Sequence, residues 1–233
     1  VINALKSKNI KYTVYDGVEE NPSVETVMEA REIGVKAGCD FIIGIGGGSP
    51  MDAAKAIGVM IYHKNENKDF LYKSVSNSQS LPVIEVPTTC GTGSEVTTVA
   101  VLTVHNEKTK KSMSHRIFPR MALVDEKYIK NAPLKVICDT AIDALAHIVE
   151  SCINNNATEY SKMFAKEGLE AWSKFKDVLL GNREATDEDF HNMMYASTLA
   201  GMCIAHAGTS LPHGLSYPCL LYTSDAADDL TRV

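Results

Sequence analysis

One stretch limits the fold more than any other: FIIGIGGGSPMDAAKAIG, residues 41–58. A short apolar run ends in Gly46, Gly47 and Gly48, and a helix-forming segment follows at once. Ser49 reads as the helix N-cap and Pro50 as the first helical residue, where a missing N–H costs nothing. Asp52, three residues after that cap, can close a capping-box-like pair with backbone donors. Glycines here let backbone N–H groups come close to a ligand, and the helix N-terminus behind them favours an anion. The expected guest is a pyrophosphate at the C-terminal end of a parallel strand. A plain strand-to-helix turn would use the same glycines. The spacing is not G-x-G-x-x-G, and it lacks the Gly-Lys-Ser/Thr ending of an ATP-binding loop.

The flanking segments repeat the alternation. KYTVY (11–15) is β-branched and aromatic, which predicts a strand. NPSVETVMEAREIGVKAG (21–38) carries Val24, Val27 and Met28 and stops at Gly38, which predicts a helix. PMDAAKAIGVMIYHK (50–64) is a second helix and LPVIEVPTT (81–89) a buried strand. Repeated βα units predict a parallel sheet covered by helices over residues 1–130. From Asn131 the character changes. LKVICDTAIDALAHIVESCINN (134–155) places Ile142, Leu145, Val149 and Cys152 at helical spacing, which reads as the buried face of a helix. Two further helices follow, YSKMFAKEGLEAWSKFKDVLL (160–180) and DFHNMMYASTLAGMCIAHAG (189–208). The last has a small-residue face: Ala196, Ala200 and Gly201. Residues 131–218 thus read as an all-α domain.

A second candidate phosphate loop is VPTTCGTGSEVT (86–97). Thr88, Thr89, Thr92, Ser94 and Thr97 supply hydroxyls, while Gly91 and Gly93 give backbone access. By itself it could be a Thr/Gly turn. Two such loops, each following a buried strand, argue for a cofactor.

Charge and cysteine usage narrow the partners. A formal charge of −6 with no lysine–arginine block argues against nucleic acid or an anionic membrane. No apolar run approaches the roughly 18–20 residues of a membrane helix, and no secretory signal is evident. The six cysteines are widely spaced with no CxxC pair, which reads as free thiols in a reducing, cytoplasmic compartment.

Asp143 and His147 stand four apart, so on a helix they share a face and can present an oxygen and an imidazole nitrogen to one divalent metal. A surface hydrogen-bonded pair would have the same spacing. The apolar flanks suggest burial, and a buried polar pair needs a partner. His213 sits in LPHG, its backbone constrained by Pro212 and Gly214. His206 ends the preceding helix. His63, His105, His115 and His191 lie in polar surroundings and receive no role.

Taken together and in order, GGGSPMDAAKAIG, PTTCGTGSEVT, DALAHIVES and AGTSLPHG resemble the iron-containing (group III) alcohol dehydrogenase family. The resemblance covers roughly residues 8–218. It implies a dehydroquinate synthase-like fold: an N-terminal α/β nucleotide-binding domain, then a helical domain, with a divalent metal in the cleft. It implies NAD or NADP as cofactor, bound near Gly47, Gly48, Ser49 and Asp52 and along Thr88, Thr89, Thr92, Ser94 and Thr97. A lysine after the hairpin, Lys111 with Lys110 as the alternative, would reach the cofactor ribose. The implied metal ligands are Asp143, His147 and His213, a donor set suited to Fe(II) or Zn(II), with Fe(II) preferred. The implied reaction is oxidation of a small alcohol to an aldehyde or ketone, and its reverse, with the metal as Lewis acid. A dehydroquinate synthase-like lyase of the same fold is the alternative. The full-length parent is compatible with a homo-oligomer.

The sequence departs from that family at its end. The fourth ligand is expected as a histidine about fourteen residues after His213, where Ala227 stands. Tyr217 occupies the position of a histidine linked to proton transfer and is a weak catalytic candidate. CLLYTSDAADD resembles one reading frame of a sequencing-library adaptor, so residues 219–233 read as a non-native tail. Both domains are therefore expected to be incomplete, with N-terminal strands missing, and this chain is expected to be inactive as written.

Overall fold

The computed structural model describes residues 1–215. After a short helix α1 (Ile2–Ser7), the chain enters α2 (Val24–Ala37), whose N-cap Ser23 accepts from the Thr26 amide. Gly38 closes α2 at φ +68°, the left-handed conformation that glycine adopts without a Cβ penalty. Strand β1 (Ile42–Gly46) leads into helix α3 (Gly48–Tyr62), and β2 (Val83–Pro87) pairs with β1 in parallel. Strands β3 (Val101–Val104) and β4 (Thr109–Ser112) form an antiparallel hairpin turned by Lys108 in a left-handed conformation. A two-residue strand β5 (Met121–Ala122) completes a parallel sheet of order β1-β2-β5. Helices α4 (Leu134–Ile153), α5 (Glu159–Leu179) and α6 (Asp187–Ala207) follow, then a helical turn at 211–215. Both α5 and α6 start with a capping box, Thr158 with Ser161 and Thr186 with Asp189. The α/β part followed by a helical part is the expected architecture.

Two apolar cores result. One joins α2 and α3 to the hairpin through Val27, Val59, Met60 and Leu102; the other packs α4, α5 and α6 through Ile148, Phe175 and Met193. Cys90, from the loop after β2, belongs to the helical core, so that loop straddles both parts. The small-residue face of α6 makes this possible. Ala196 and Ala200 are buried, and Gly201 lies so close to Gly93 that a Cβ on Gly201 would meet the Gly93 carbonyl oxygen at 2.5 Å.

Three local expectations need correction. The N-cap of α3 is Gly47, and Pro50 is its third residue. Pro50 still falls among the first-turn positions whose N–H has no intrahelical acceptor. Ser49 instead accepts from the Asn21 amide at 3.0 Å, and Asp52 caps nothing: it accepts from Ser94 Oγ at 2.6 Å and from the Val101 amide at 2.8 Å. Residues 11–15 form no strand. Together with Ile43 and Ile45 of β1 they line an apolar groove of about 1250 Å³, and they take no place in the β1-β2-β5 sheet. Finally, α4 turns its other face inward. Ile142 is 55% exposed and Val149 46%, while Ile137, Ala141, Ala144, His147, Ile148 and Ser151 are buried. Both faces repeat at helical spacing, so the period alone could not tell which one meets α5 and α6. Among the described residues, Cys39, Cys90, Cys138, Cys152 and Cys203 are free thiols, as expected. No helix among them is long and apolar enough to cross a membrane.

Candidate metal and cofactor site

Parallel pairing in register, Gly46 opposite Pro87, brings the ends of β1 and β2 level, so the two glycine loops emerge side by side. The Thr88 amide donates to the Gly46 carbonyl at 2.8 Å. Across the loops, a Cβ on Gly47 would lie 3.2 Å from Thr89 Cγ2, and one on Gly48 would lie 2.8 Å from Thr92 Cγ2. Glycine is thus required at 48 because the threonine loop fills the space. The N-terminus of α3, with the first-turn amides of Gly48 and Ser49 lacking intrahelical acceptors, opens between them.

A lysine that sequence reading passed over locks the second loop in place. Lys55 is fully buried on α3, and its Nζ donates to the Ser94 carbonyl, Ser94 Oγ and the Val99 carbonyl, each at 2.7 Å. It also reaches Thr97 Oγ1 at 3.4 Å and lies 3.6 Å from Asp52 Oδ1. The hydroxyls of Ser94 and Thr97 are therefore turned toward the protein, and Asp52 with them. Thr88, Thr89 and Thr92 remain partly exposed. The available signal was a single charge, three residues after Asp52, in an otherwise apolar helix.

The two hairpin lysines separate by strand alternation. Lys110 Nζ donates to Asn21 Oδ1 at 2.8 Å, and the Asn21 amide is bonded to Ser49 in the glycine turn. Lys111 points the other way, pairing with Glu107 and lying over the Tyr72 ring at 5.8 Å. Lys110, not Lys111, is the one beside the glycine turn.

Beyond the second loop lies the carboxylate–imidazole cluster. Asp143 and His147 occupy one face of α4, and His213 comes from the turn after α6. Their donor atoms all lie within 4.8 Å of one another. His147 Nε2 is 3.8 Å from Asp143 Oδ1, and His213 Nε2 is 3.5 Å from the same oxygen. The two rings stack with centroids 4.6 Å apart. Each imidazole is anchored through its other nitrogen: His147 Nδ1 to the Gly91 carbonyl at 3.2 Å, His213 Nδ1 to Glu150 Oε1 at 2.6 Å. Both Nε2 atoms thus face the shared carboxylate, which suits a divalent ion.

The electrostatics agree with this. Burial works to raise the Asp143 carboxyl, but its bond with His213 and the adjacent imidazoles hold it below its ordinary value. Burial pushes the His147 imidazole down, keeping it neutral and able to act as a ligand. His213 is pushed up to about 8, first by Asp143, against burial, with Glu150 adding. With Asp143 ionised and His147 neutral, His213 holds the one proton of the cluster beyond the neutral rings, which a metal would displace. Tyr217, the catalytic candidate, and Ala227, at the expected fourth-ligand position, lie outside the described residues.

A glycine turn and a threonine loop at the ends of two parallel strands, beside a helical unit with an Asp–His–His group that could hold a metal ion, match a known two-part family. The family model for iron-containing alcohol dehydrogenase matches residues 1–126, and that for the C-terminal part of the Fe-containing alcohol dehydrogenase family matches residues 137–220. This chain belongs to the iron-containing alcohol dehydrogenase family, which brings with it a divalent metal and NAD(P). It is 32% identical over 217 residues to the long-chain primary alcohol dehydrogenase AdhA of Thermoanaerobacter ethanolicus, covering 92% of this chain and 54% of that protein. It is 34% identical over 218 residues to a 1,3-propanediol dehydrogenase of Citrobacter freundii, covering 91% and 55%. A solved structure of an iron-containing alcohol dehydrogenase from Thermotoga maritima superposes with TM-score 0.88 at 38% identity, covering 96% of this chain and 61% of that one. The chain therefore spans little more than half the length of the curated relatives it matches. The lyase alternative gains no support from these matches.

Proposed function

We propose that the protein to which this chain belongs is an NAD(P)-dependent alcohol dehydrogenase that interconverts a small alcohol with its aldehyde or ketone. One observation carries the reading: the loop that flanks the phosphate cradle also supplies, through the Gly91 carbonyl, the acceptor that orients His147. Cradle and metal donors are thus held at a fixed separation by one segment. When bound, the metal supplies Lewis-acid polarisation of the substrate oxygen and the nicotinamide exchanges hydride.

The chain's own residues do the positioning. The amides of Gly48 and Ser49, with the Gly47 backbone and the hydroxyls of Thr88, Thr89 and Thr92, hold the cofactor phosphates. Lys110 takes the ribose role for which sequence reading preferred Lys111. Asp52, Lys55, Ser94 and Thr97 fix the second loop behind them. Asp143, His147 and His213 hold the metal, with Fe(II) preferred over Zn(II). NAD and NADP are both admitted, and small alcohols or aldehydes are the substrate class.

The test is anaerobic loading of the protein with Fe(II) or Zn(II), followed by NADH or NADPH oxidation with short aldehydes. Metal-dependent oxidation that disappears in Asp143→Ala supports the reading. Oxidation insensitive to metal removal and to Asp143→Ala overturns it.

A further inference from the structure

Glu150, which anchors His213 Nδ1 in the site described above, is also the most fully engaged carboxylate near it. It lies on α4 at i+3 from His147 and i+7 from Asp143, so the helix presents all three on one side. Its side chain is buried, at 3% exposure. Oε2 accepts from the Ser210 amide at 2.6 Å and from Ser210 Oγ at 3.0 Å, while Oε1 accepts from His213 Nδ1 at 2.6 Å. A carboxylate can only accept, so Nδ1 carries a hydrogen, and the lone pair that a metal could take is the one uncovered when the Nε2 proton leaves. Nε2 is the atom on the Asp143 side of the ring.

We propose that Glu150 is the positioning residue of the metal centre, fixing both the ring orientation and the tautomer of His213. This rests on the metal-centre reading above. His213 lies beyond α6 on a separate segment, and that segment is tied to α4 through Ser210 and Asn154, whose side-chain amide donates to the Thr209 carbonyl at 2.8 Å. His147 needs no such device, because α4 itself fixes its Cβ and Gly91 fixes its Nδ1. Glu150 thus does for the ligand from beyond α6 what α4 and the Gly91 loop do for His147. The two Ser210 contacts hold the carboxylate in place, so that its remaining oxygen is aimed at His213. Outer partners of this kind typically set metal affinity by 10–100-fold.

The test is Co(II) titration of the 233-residue chain under anaerobic conditions, reading affinity and the ligand-field spectrum. Asp143→Ala and His147→Ala must weaken Co(II) binding; if neither does, the metal-centre reading fails and takes the proposal with it. With those losses in hand, Glu150→Ala is expected to weaken binding by about 10–100-fold and to change the spectrum. In a His213→Ala background the same substitution should cost nothing further. Glu150→Gln, which keeps one acceptor oxygen, should recover part of the affinity. Wild-type affinity and spectrum in Glu150→Ala, or a loss that persists in His213→Ala, would overturn the proposal. If Glu150→Ala does not fold, Glu150→Gln decides by Co(II) affinity: a loss against wild type that is absent in the His213→Ala background supports the role, and wild-type affinity refutes it.

Discussion

Glu150 and Glu85 are both buried, at 3% and 0% exposure, and differ in everything else. Glu150 sits where α4 meets the 208–215 turn and accepts from three donors. Burial works to raise its carboxyl, but those donors hold it below its ordinary value. Glu85 sits mid-strand in β2, opposite Gly44 and Ala122, and neither of its oxygens has a hydrogen-bond partner. Burial pushes it up to about 9, against the opposing pull of Lys55. Glu95 falls between them: it is buried, it accepts from Thr198 Oγ1 at 3.1 Å, and burial raises it despite that bond and one from its own backbone. The lesson is that desolvation and the donors converging on a carboxylate together decide its charge here: Glu150 sits at a junction with three donors, and Glu85 deep in the sheet with none.

Substitutions can break this ordering, beginning with the partner that carries most. Lys55→Met would strip donors from the Ser94 and Val99 carbonyls and leave Asp52 without its buried cation. A loss of about 3–5 kcal/mol in urea unfolding is expected.

Glu85→Gln should act in the opposite direction. The Glu85 carboxyl is raised in the folded state, so its contribution is fully present below the ordinary value of 4.5 and is lost as pH rises toward about 9. Wild-type stability should therefore fall across that window relative to the variant. At pH 7 the variant should be more stable by roughly 3 kcal/mol, an order-of-magnitude figure from the shift, and its pH profile should be flatter. Thermal melts at a series of pH values would show it. A variant less stable than wild type at pH 7 would break the comparison.

Thr198→Val removes the one side-chain donor to Glu95 without changing shape, making it more like Glu85. A cost of about 1–2 kcal/mol is expected, together with a steeper fall in stability toward alkaline pH. Ser210→Ala leaves Glu150 two of its three donors and should cost about 1 kcal/mol or less by urea unfolding.

The sequence showed some of this plainly. The two loops were legible because glycines after apolar strands have few uses. Asp143 and His147 were legible because four-residue spacing survives into any helix. The α6 face of Ala196, Ala200 and Gly201 was legible because small residues at helical spacing announce close approach. Other features depend on neighbours that a linear pattern cannot show. Lys55 and Glu150 look like ordinary surface charges until their acceptors and donors arrive from residues 94–99 and 210–213. The stripe of Ile142 and Val149 had the right period and the wrong direction, since period says nothing of which face meets a partner. KYTVY had strand composition, but among the described residues it finds no strand to pair with, and composition alone does not supply one.

The Gly91 carbonyl bonded to His147 Nδ1 has a consequence for thermodynamic bookkeeping. It ties the proposed nucleotide loop to a proposed metal donor, with Thr140 pressed against Gly91 so closely that a Cβ there would meet the Thr140 carbonyl oxygen at 2.7 Å. Two guests bound to one molecule in this way would share a free-energy cycle. Whatever factor the ion applies to nucleotide affinity, the nucleotide must apply to ion affinity in return, so measuring either order of addition determines the other.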